Sequence, residues 1–199
     1  MTIVYPPPGK WEEETHLRLS ARFGATVWSL VPTQVWRLLE WPTLADHDLS
    51  ALQSMGGGSA VWPPELLRRI ELRLPNVRTA LGLGYGMTET SGLGTSLRGA
   101  ATYERPESVG QSTPTVEVQV RDPETGAVLG EDEVGEICMR SAANFLCYWE
   151  NPEATANALD EHRWYRTGDH GRVHEGFLYL EGRRSDLIIR GGENIYPAE

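Results

Sequence analysis

The chain has 199 residues, with 18 basic and 28 acidic side chains and a formal net charge of -10. With 40% hydrophobic residues and a mean hydropathy of -0.38 it has the composition of a globular protein with a buried core, which excludes fibrous and disordered classes. The acidic balance argues against a general nucleic-acid or anionic-membrane binder, which needs clustered Lys and Arg, and no apolar run reaches the roughly 20 residues of a membrane helix.

Residues 1 to 102 mix short apolar runs with longer amphipathic ones, the pattern of a layered α/β half. Trp11 to Arg22 opens on Glu12, Glu13 and Glu14, acidic residues that suit a first helical turn, and is expected to be a helix. Ala25 to Val31 reads as a strand ending at Pro32, followed by a helix over Gln34 to Glu40 with Thr33 as its cap. Leu52 to Met55 runs into Gly56, Gly57, Gly58 and Ser59. Pro63 and Pro64 then stand where a helix through Glu65 to Leu74 would begin, and Val77 to Leu83 reads as a further strand.

Residues 103 to 182 change character to period-two alternation, in which Val116, Val118 and Val120 share one face. Asp122 to Gly126 is expected to turn the chain, with Val134 to Arg140 as the returning strand. A second hairpin is expected from His170 to His174 and Phe177 to Leu180, joined by Glu175-Gly176. The fold class is therefore α/β, a layered half followed by a β-rich lobe. Residues 183 to 199 read as a strand and turn that begin another unit.

Several templates fail. The one Gly-Lys pair, Gly9-Lys10, precedes Trp11, so no Walker A loop is present, and Lys10 is the one lysine. Gly82 to Gly86 lacks the last glycine of the dinucleotide fingerprint, and Gly57 to Val61 lacks that of a nucleophile elbow. Cys138 and Cys147 have neither a disulfide framework nor metal spacing around them, so a reducing cytoplasm is the expected location. His170 and His174 have no third nitrogen or sulfur ligand near in sequence and are expected to be exposed hairpin histidines rather than metal ligands.

Gly84-Tyr85-Gly86-Met87-Thr88-Glu89-Thr90-Ser91-Gly92 is the string richest in chemistry. Its glycines admit a ligand close to the backbone. Tyr85 offers a ring for a base, Thr88 a donor for a phosphate, and Glu89 a carboxylate for Mg2+. The same residues would also serve as a helix-capping loop, and on this string alone both readings stand.

Three further strings join it in order: Thr167-Gly168-Asp169, Gly182-Arg183-Arg184-Ser185-Asp186, and Arg190-Gly191-Gly192-Glu193-Asn194-Ile195-Tyr196-Pro197-Ala198-Glu199. With the Y-G-x-T-E string of Tyr85 to Glu89, the chain resembles the adenylate-forming, or AMP-forming, acyl-CoA synthetase superfamily over essentially its whole length. Val134 to Ile137 and the Tyr148-Trp149-Glu150-Asn151-Pro152-Glu153 run add weaker similarity.

The resemblance implies that Tyr85 stacks on adenine beside Gly84 and Gly86, that Thr88 contacts the α-phosphate, and that Glu89 binds Mg2+. It implies that Asp169 takes the ribose hydroxyls with help from Arg183. Gly57, Gly58 and Ser59 would pass beside adenine and the acyl carboxylate, Trp28, Val31 and Pro32 would line the acyl pocket, and Asp186 would be the hinge before a small C-terminal domain.

The family's Ser/Thr/Gly-rich phosphate loop with its lysine does not occur here, nor does the lysine of its C-terminal domain, and Cys147 stands at a usual glycine. The chain is thus expected to be an incomplete piece of that fold. It would come from an ATP-dependent carboxylic acid:CoA ligase and be inactive alone, with self-association through the surface its missing half would cover. Two alternatives are a fatty-acyl-AMP ligase loading a carrier protein and a non-catalytic nucleotide-binding or self-associating remnant.

Overall fold

In the computed structural model the described residues are 2–57, 62–183, 188–190 and 193–195. They fall into two compact units, Met1–Leu83 with Arg98–Glu107, and Gly84–Leu97 with Ser108–Glu199.

The first unit is a small parallel sheet with helices. Helix α1 (Glu13–Phe23) carries Glu13 and Glu14 in its first turn and buries Leu17 and Ser20. Gly24 ends it in the left-handed region at φ 57°, where the Gly24 and Ala25 amides return to Ala21 and Ser20 carbonyls. Strands β1 (Val27–Ser29), β2 (Ser54–Gly57) and β3 (Leu81–Leu83) run parallel, β2 in the middle, with Trp28 opposite Met55 and Met55 opposite Leu81. Helices α2 (Pro32–Leu39) and α3 (Pro64–Arg73) present Val35, Leu38, Leu39, Leu66, Leu67 and Ile70 to the interior. The short helix α4 (Ala101–Glu104) belongs to the same unit.

Two boundaries differ from expectation. Pro32, not Gln34, opens α2, because its fixed φ suits the first helical position. Val31 therefore sits at the cap, its amide donating to Gln34 Oε1 at 3.2 Å, and Thr33 lies inside the helix. The expected strand over Val77 to Leu83 shrinks to β3. Pro75 opens a 3-10 turn through Ala80 that seats Val77 in the core, so buried apolar character there reflects a packed turn.

The second unit is antiparallel. A small hairpin joins β4 (Gly86–Met87) to β5 (Gly92–Leu93). The main sheet takes β6 (Thr95–Arg98), β7 (Ser108–Ser112), β8 (Glu117–Arg121), β9 (Gly135–Arg140), β10 (Tyr165–His174) and β11 (Phe177–Arg183) in the order β6-β7-β11-β10-β9-β8. Helix α5 (Pro152–Ala158) leads into β10.

The expected β8–β9 pairing is present, with Val118 opposite Met139 and Val120 opposite Ile137. Its turn is held by Asp122 Oδ1, which accepts from the Glu124 and Thr125 amides at 2.9 and 2.7 Å. The β10–β11 hairpin closes through Glu175 and Gly176, both at positive φ, as a two-residue turn of matching twist requires. Tyr85, Val109, Val116, Val120, Ile137, Met139 and Leu178 form the core of this unit.

His170 is buried within β10, contrary to the expected exposed position, because the strand begins at Tyr165 and the histidine faces inward. His174 fits its expected place at the hairpin end, paired with Asp132. Strands β12 (Ile188–Arg190) and β13 (Glu193–Ile195) pair antiparallel near the end of the chain. Among the described residues no helix is long and apolar enough to cross a membrane.

Candidate active site

The glycine-rich string folds as a tight loop and not as the start of an α-helix. After β4 a three-residue 3-10 turn (Thr88–Thr90) ends at Ser91 and Gly92, both at positive φ, and β5 returns. Buried Thr90 knits the loop together: its Oγ1 accepts from the Met87 amide at 3.1 Å and lies 2.9 Å from the Gly92 carbonyl. The capping reading holds in part: no α-helix follows, but Thr90 caps the short turn through the Met87 amide, and Thr88 and Glu89 are not consumed in that cap. Thr88 is exposed and Glu89 half-buried, on the outer side of the loop.

Tyr85 precedes that loop and is held firmly. Its carbonyl accepts from the Gly94 and Thr95 amides at 2.8 and 2.9 Å, and its amide donates to Thr95 Oγ1. Its ring belongs to the core and is 9% exposed, while its hydroxyl donates to Asp169 Oδ2 at 2.6 Å. Burial first, then the Asp169 charge, raises the Tyr85 pKa far above that of an ordinary phenol, so it stays a donor.

Asp169 reaches this position through an irregularity in β10. Arg166 pairs with Cys138 and His170 with Glu136, so four steps along β10 correspond to two along β9, and Thr167, Gly168 and Asp169 form a bulge. The expected order of string and hairpin is thus modified: Thr167-Gly168-Asp169 lies inside the strand, not before it.

Gly168, at φ 74°, makes the corner. Thr167 Oγ1 ties the bulge to the Ile137 carbonyl at 2.8 Å and accepts from the Asp169 amide at 3.1 Å. Buried Glu136 accepts from the Gly168 amide at 3.3 Å and pairs with Arg166 at 2.7 Å. Arg183 stands directly across the ladder from Asp169 in the β10–β11 register.

Glu89 has a partner that the sequence reading did not name. Tyr148, from the Tyr-Trp-Glu-Asn-Pro run, donates its hydroxyl to Glu89 Oε1 at 2.9 Å. The Tyr165 phenol lies close enough to interact with Tyr148 and to feel the charges of both Glu89 and Asp169. It is raised well above an ordinary phenol, chiefly by burial. Glu89 has no cation partner among the described residues. Among the described residues no group of three or more His, Cys, Asp or Glu side chains could hold a metal ion, so a cation at half-buried Glu89 would need phosphate and water to complete its shell, as Mg2+ with one carboxylate does.

The remaining candidates lie in the first unit. Trp28 is 2% exposed, donates from Nε1 to Ser20 Oγ at 2.9 Å and meets the His16 ring edge-on at 4.9 Å, so its side chain is spent on helix α1. Val31 and Pro32 start α2. Gly57 is glycine for a packing reason, since a Cβ there would collide with the Leu30 carbonyl. Gly58, Ser59 and Asp186 lie outside the described residues. The structure therefore unites Tyr85, Gly86, Thr88, Glu89, Asp169 and the backbone of Arg183 in one unit. The signal in the sequence for Tyr148 was the weak Tyr-Trp-Glu-Asn-Pro similarity, and nothing in it indicated a hydroxyl aimed at Glu89.

The family model of the AMP-binding enzyme matches residues 1–149. The mitochondrial medium-chain acyl-CoA ligase ACSF2 of Bos taurus is 39% identical over 201 aligned residues, covering 100% of this chain and 32% of that protein. The amide bond synthetase McbA of Marinactinospora thermotolerans superposes with a TM-score of 0.84 at 33% identity, over 95% of this chain and 38% of its own. The anthranilate CoA ligase AuaEII, solved in complex with anthranoyl-AMP, superposes with a TM-score of 0.82 at 27% identity, over 93% of this chain and 35% of its own. The chain thus spans about a third of the length of such relatives. With the family model covering three quarters of its residues, and the loop, bulge and carboxylates assembled as described, the chain belongs to the AMP-binding enzyme family, the adenylate-forming enzymes that include the acyl-CoA ligases.

Proposed function

We propose that this chain is the adenosine-recognition part of an ATP-dependent carboxylic acid:CoA ligase. In that reaction a substrate carboxylate attacks the α-phosphorus of ATP, pyrophosphate leaves, and the thiol of CoA then displaces AMP from the acyl-adenylate. The single observation that carries the reading is the bond between the Tyr85 hydroxyl and the Asp169 carboxylate, which joins two candidate residues 84 apart in sequence into one site.

In this reading Asp169 accepts the ribose hydroxyls, a charge-assisted arrangement stronger than a neutral pair. Tyr85 orients that carboxylate from its place in the core, and Gly84 and Gly86 leave room beside it for the base. Thr88 donates to the α-phosphate, Glu89 offers the carboxylate for Mg2+, and Arg183 adds a donor toward the ribose. Mg2+, when bound, neutralises phosphate charge, which is the main requirement of such a displacement. The bovine relative, a mitochondrial acyl-CoA ligase, favours CoA as acceptor. The similarity to an amide bond synthetase supports a second reading, in which an amine takes the acyl group from the adenylate.

Adenosine is expected to bind the isolated chain no tighter than the millimolar range, because charge-assisted hydrogen bonds from the two ribose hydroxyls to Asp169 are worth about 1.5 to 3 kcal/mol each, against the entropy of association. Adenosine should shift amide signals near both Tyr85 and Asp169. Asp169→Ala should abolish these shifts in a folded sample, and silence at both positions in the unmodified chain would overturn the assignment. These residues match about a third of the relatives, so ATP turnover by the isolated chain with fatty, aryl and short acids is expected to be absent. In a full-length protein, offering CoA or an amine after adenylation separates the two acceptors.

A further inference from the structure

We infer that Tyr148 is a positioning residue for the metal-binding carboxylate: its hydroxyl, delivered by the 141–149 segment, fixes the orientation in which Glu89 meets a divalent cation. The inference rests on the proposed role of Glu89 and deepens it.

Three contacts carry the argument. The Tyr148 hydroxyl donates to Glu89 Oε1 at 2.9 Å. The Phe145 amide donates to the Glu89 carbonyl at 2.8 Å, so both the side chain and the backbone of the same residue are held by one segment. Ser91 Oγ donates to the Ala143 carbonyl at 2.7 Å, which fastens the far side of the turn to that segment as well.

The segment is itself anchored away from Glu89. The Tyr148 amide donates to Thr155 Oγ1 at 2.9 Å within α5, and Arg163 donates to the Phe145 carbonyl at 2.6 Å. The Phe145 ring packs against both Tyr148 and Tyr165, at 4.7 and 5.5 Å between ring centroids, which limits the swing of the phenol. Tyr165 is the further neighbour of Tyr148, sharing the Phe145 ring contact and interacting with its phenol.

A glutamate on a short surface turn has two side-chain torsions free before it reaches its terminal group. A donor fixed on a separate, anchored segment removes that freedom. Outer partners of metal ligands act in this way, and losing one typically weakens the site about 10 to 100-fold. Tyr148 touches Glu89 and not the reacting atoms, so its effect passes through the carboxylate.

The test uses Mn2+ as the probe, with AMP present, on the whole 199-residue chain. Paramagnetic broadening of the Thr88 to Ser91 and Phe145 to Tyr148 amide signals reports the bound metal, while adenosine shifts at Tyr85 and Asp169 report the nucleoside site without metal. Tyr148→Phe keeps the ring and removes the donor. It is expected to need about tenfold more Mn2+ for half-broadening, the lower end of the outer-shell range, with the metal-free adenosine shifts unchanged. Tyr165→Phe, one step removed, should have a smaller effect in the same direction.

Glu89→Gln should lose the broadening outright. If it does and Tyr148→Phe still titrates like the unmodified chain, the positioning role is wrong while the role of Glu89 survives. If the unmodified chain shows no broadening at this turn, the metal role of Glu89 fails and the inference falls with it. A merely structural Tyr148 would instead lower thermal stability and blur the adenosine shifts along with the metal response.

Discussion

The two units use their functional-looking residues differently. In the first, parallel unit, candidates singled out from sequence turn out to have packing duties: Trp28 bonds Ser20 and meets His16 edge-on, and Gly57 clears the Leu30 carbonyl. In the second, antiparallel unit, the candidates meet one another. Tyr85 reaches Asp169, and Asp169 faces Arg183 across a ladder. The difference follows from how each unit closes. Short parallel strands are covered by helices, so side chains near them are consumed in covering. The antiparallel sheet carries a bulge and a tight loop, which turn polar groups out of the ladder toward each other.

The largest expected effect comes from breaking the core that supports those two irregularities. Ile137 is fully buried beneath the bulge, and its carbonyl accepts from Thr167. Ile137→Ala should destabilise the second unit by about 2 to 5 kcal/mol. Urea unfolding followed by resolved amide signals should show the loss in residues of the second unit, and equal loss in both units would remove the distinction between them.

A sharper comparison sets two buried cross-links side by side. Tyr85→Phe removes the donor to a buried carboxylate and should cost about 1.5 to 3 kcal/mol, the range for hydrogen bonds to charged groups. Trp28→Phe removes a neutral donor to Ser20, whose hydrogen bond is worth about 0.5 to 1.5 kcal/mol, together with part of a ring. If the Trp28 variant lost more than its smaller ring explains while Tyr85→Phe unfolded like the unmodified chain, the Tyr85–Asp169 contact would not be the organising feature of its unit.

Periodicity and turn chemistry made most of the fold readable. Val116, Val118 and Val120 announced a half-buried strand, Asp122 to Gly126 its turn, and Glu175-Gly176 the second hairpin, because each is a local rule acting within a few residues. The start of α2 lies two residues before the expected one, since proline and threonine both mark helix starts and only geometry decides which is first. Val77, apolar within an expected strand, lies instead in a packed turn, because burial, not conformation, governs where apolar residues fall.

For the site, the loop from Tyr85 to Glu89 and the Thr167-Gly168-Asp169 string were visible as strings, but the bond between them spans 84 residues and depends on a bulge that period-two alternation does not reveal. Tyr148 was hidden for the same reason: its partner lies 59 residues away.

The smallest effect, and the one most specific to each unit, is in pH dependence. In the first unit burial lowers the His16 pKa below its ordinary 6.5. A group depressed in the folded state is stabilising above its unfolded pKa, and that stability is lost as pH falls, so the first unit should weaken progressively below about pH 6.5, before carboxylates titrate.

In the second unit the phenol and thiol shifts have the opposite sign. Burial and nearby carboxylates raise the phenols of Tyr85, Tyr148 and Tyr165, and burial pushes the Cys138 thiol up to about 11. Groups raised in the folded state contribute fully below their unfolded values and lose that contribution as pH climbs past them. The second unit should therefore weaken from about pH 9, the ordinary thiol value, and further above 10, the ordinary phenol value. Amide-resolved unfolding at pH 5.5, 7.5 and 10 would read both limbs. His16→Phe should flatten the acid limb and leave the alkaline one, and Tyr85→Phe should shorten the alkaline limb and leave the acid one. Acid and alkaline losses that fell on both units alike would show that ionisation in one unit is felt through the whole chain, and the separate treatment of the two sites would have to be abandoned.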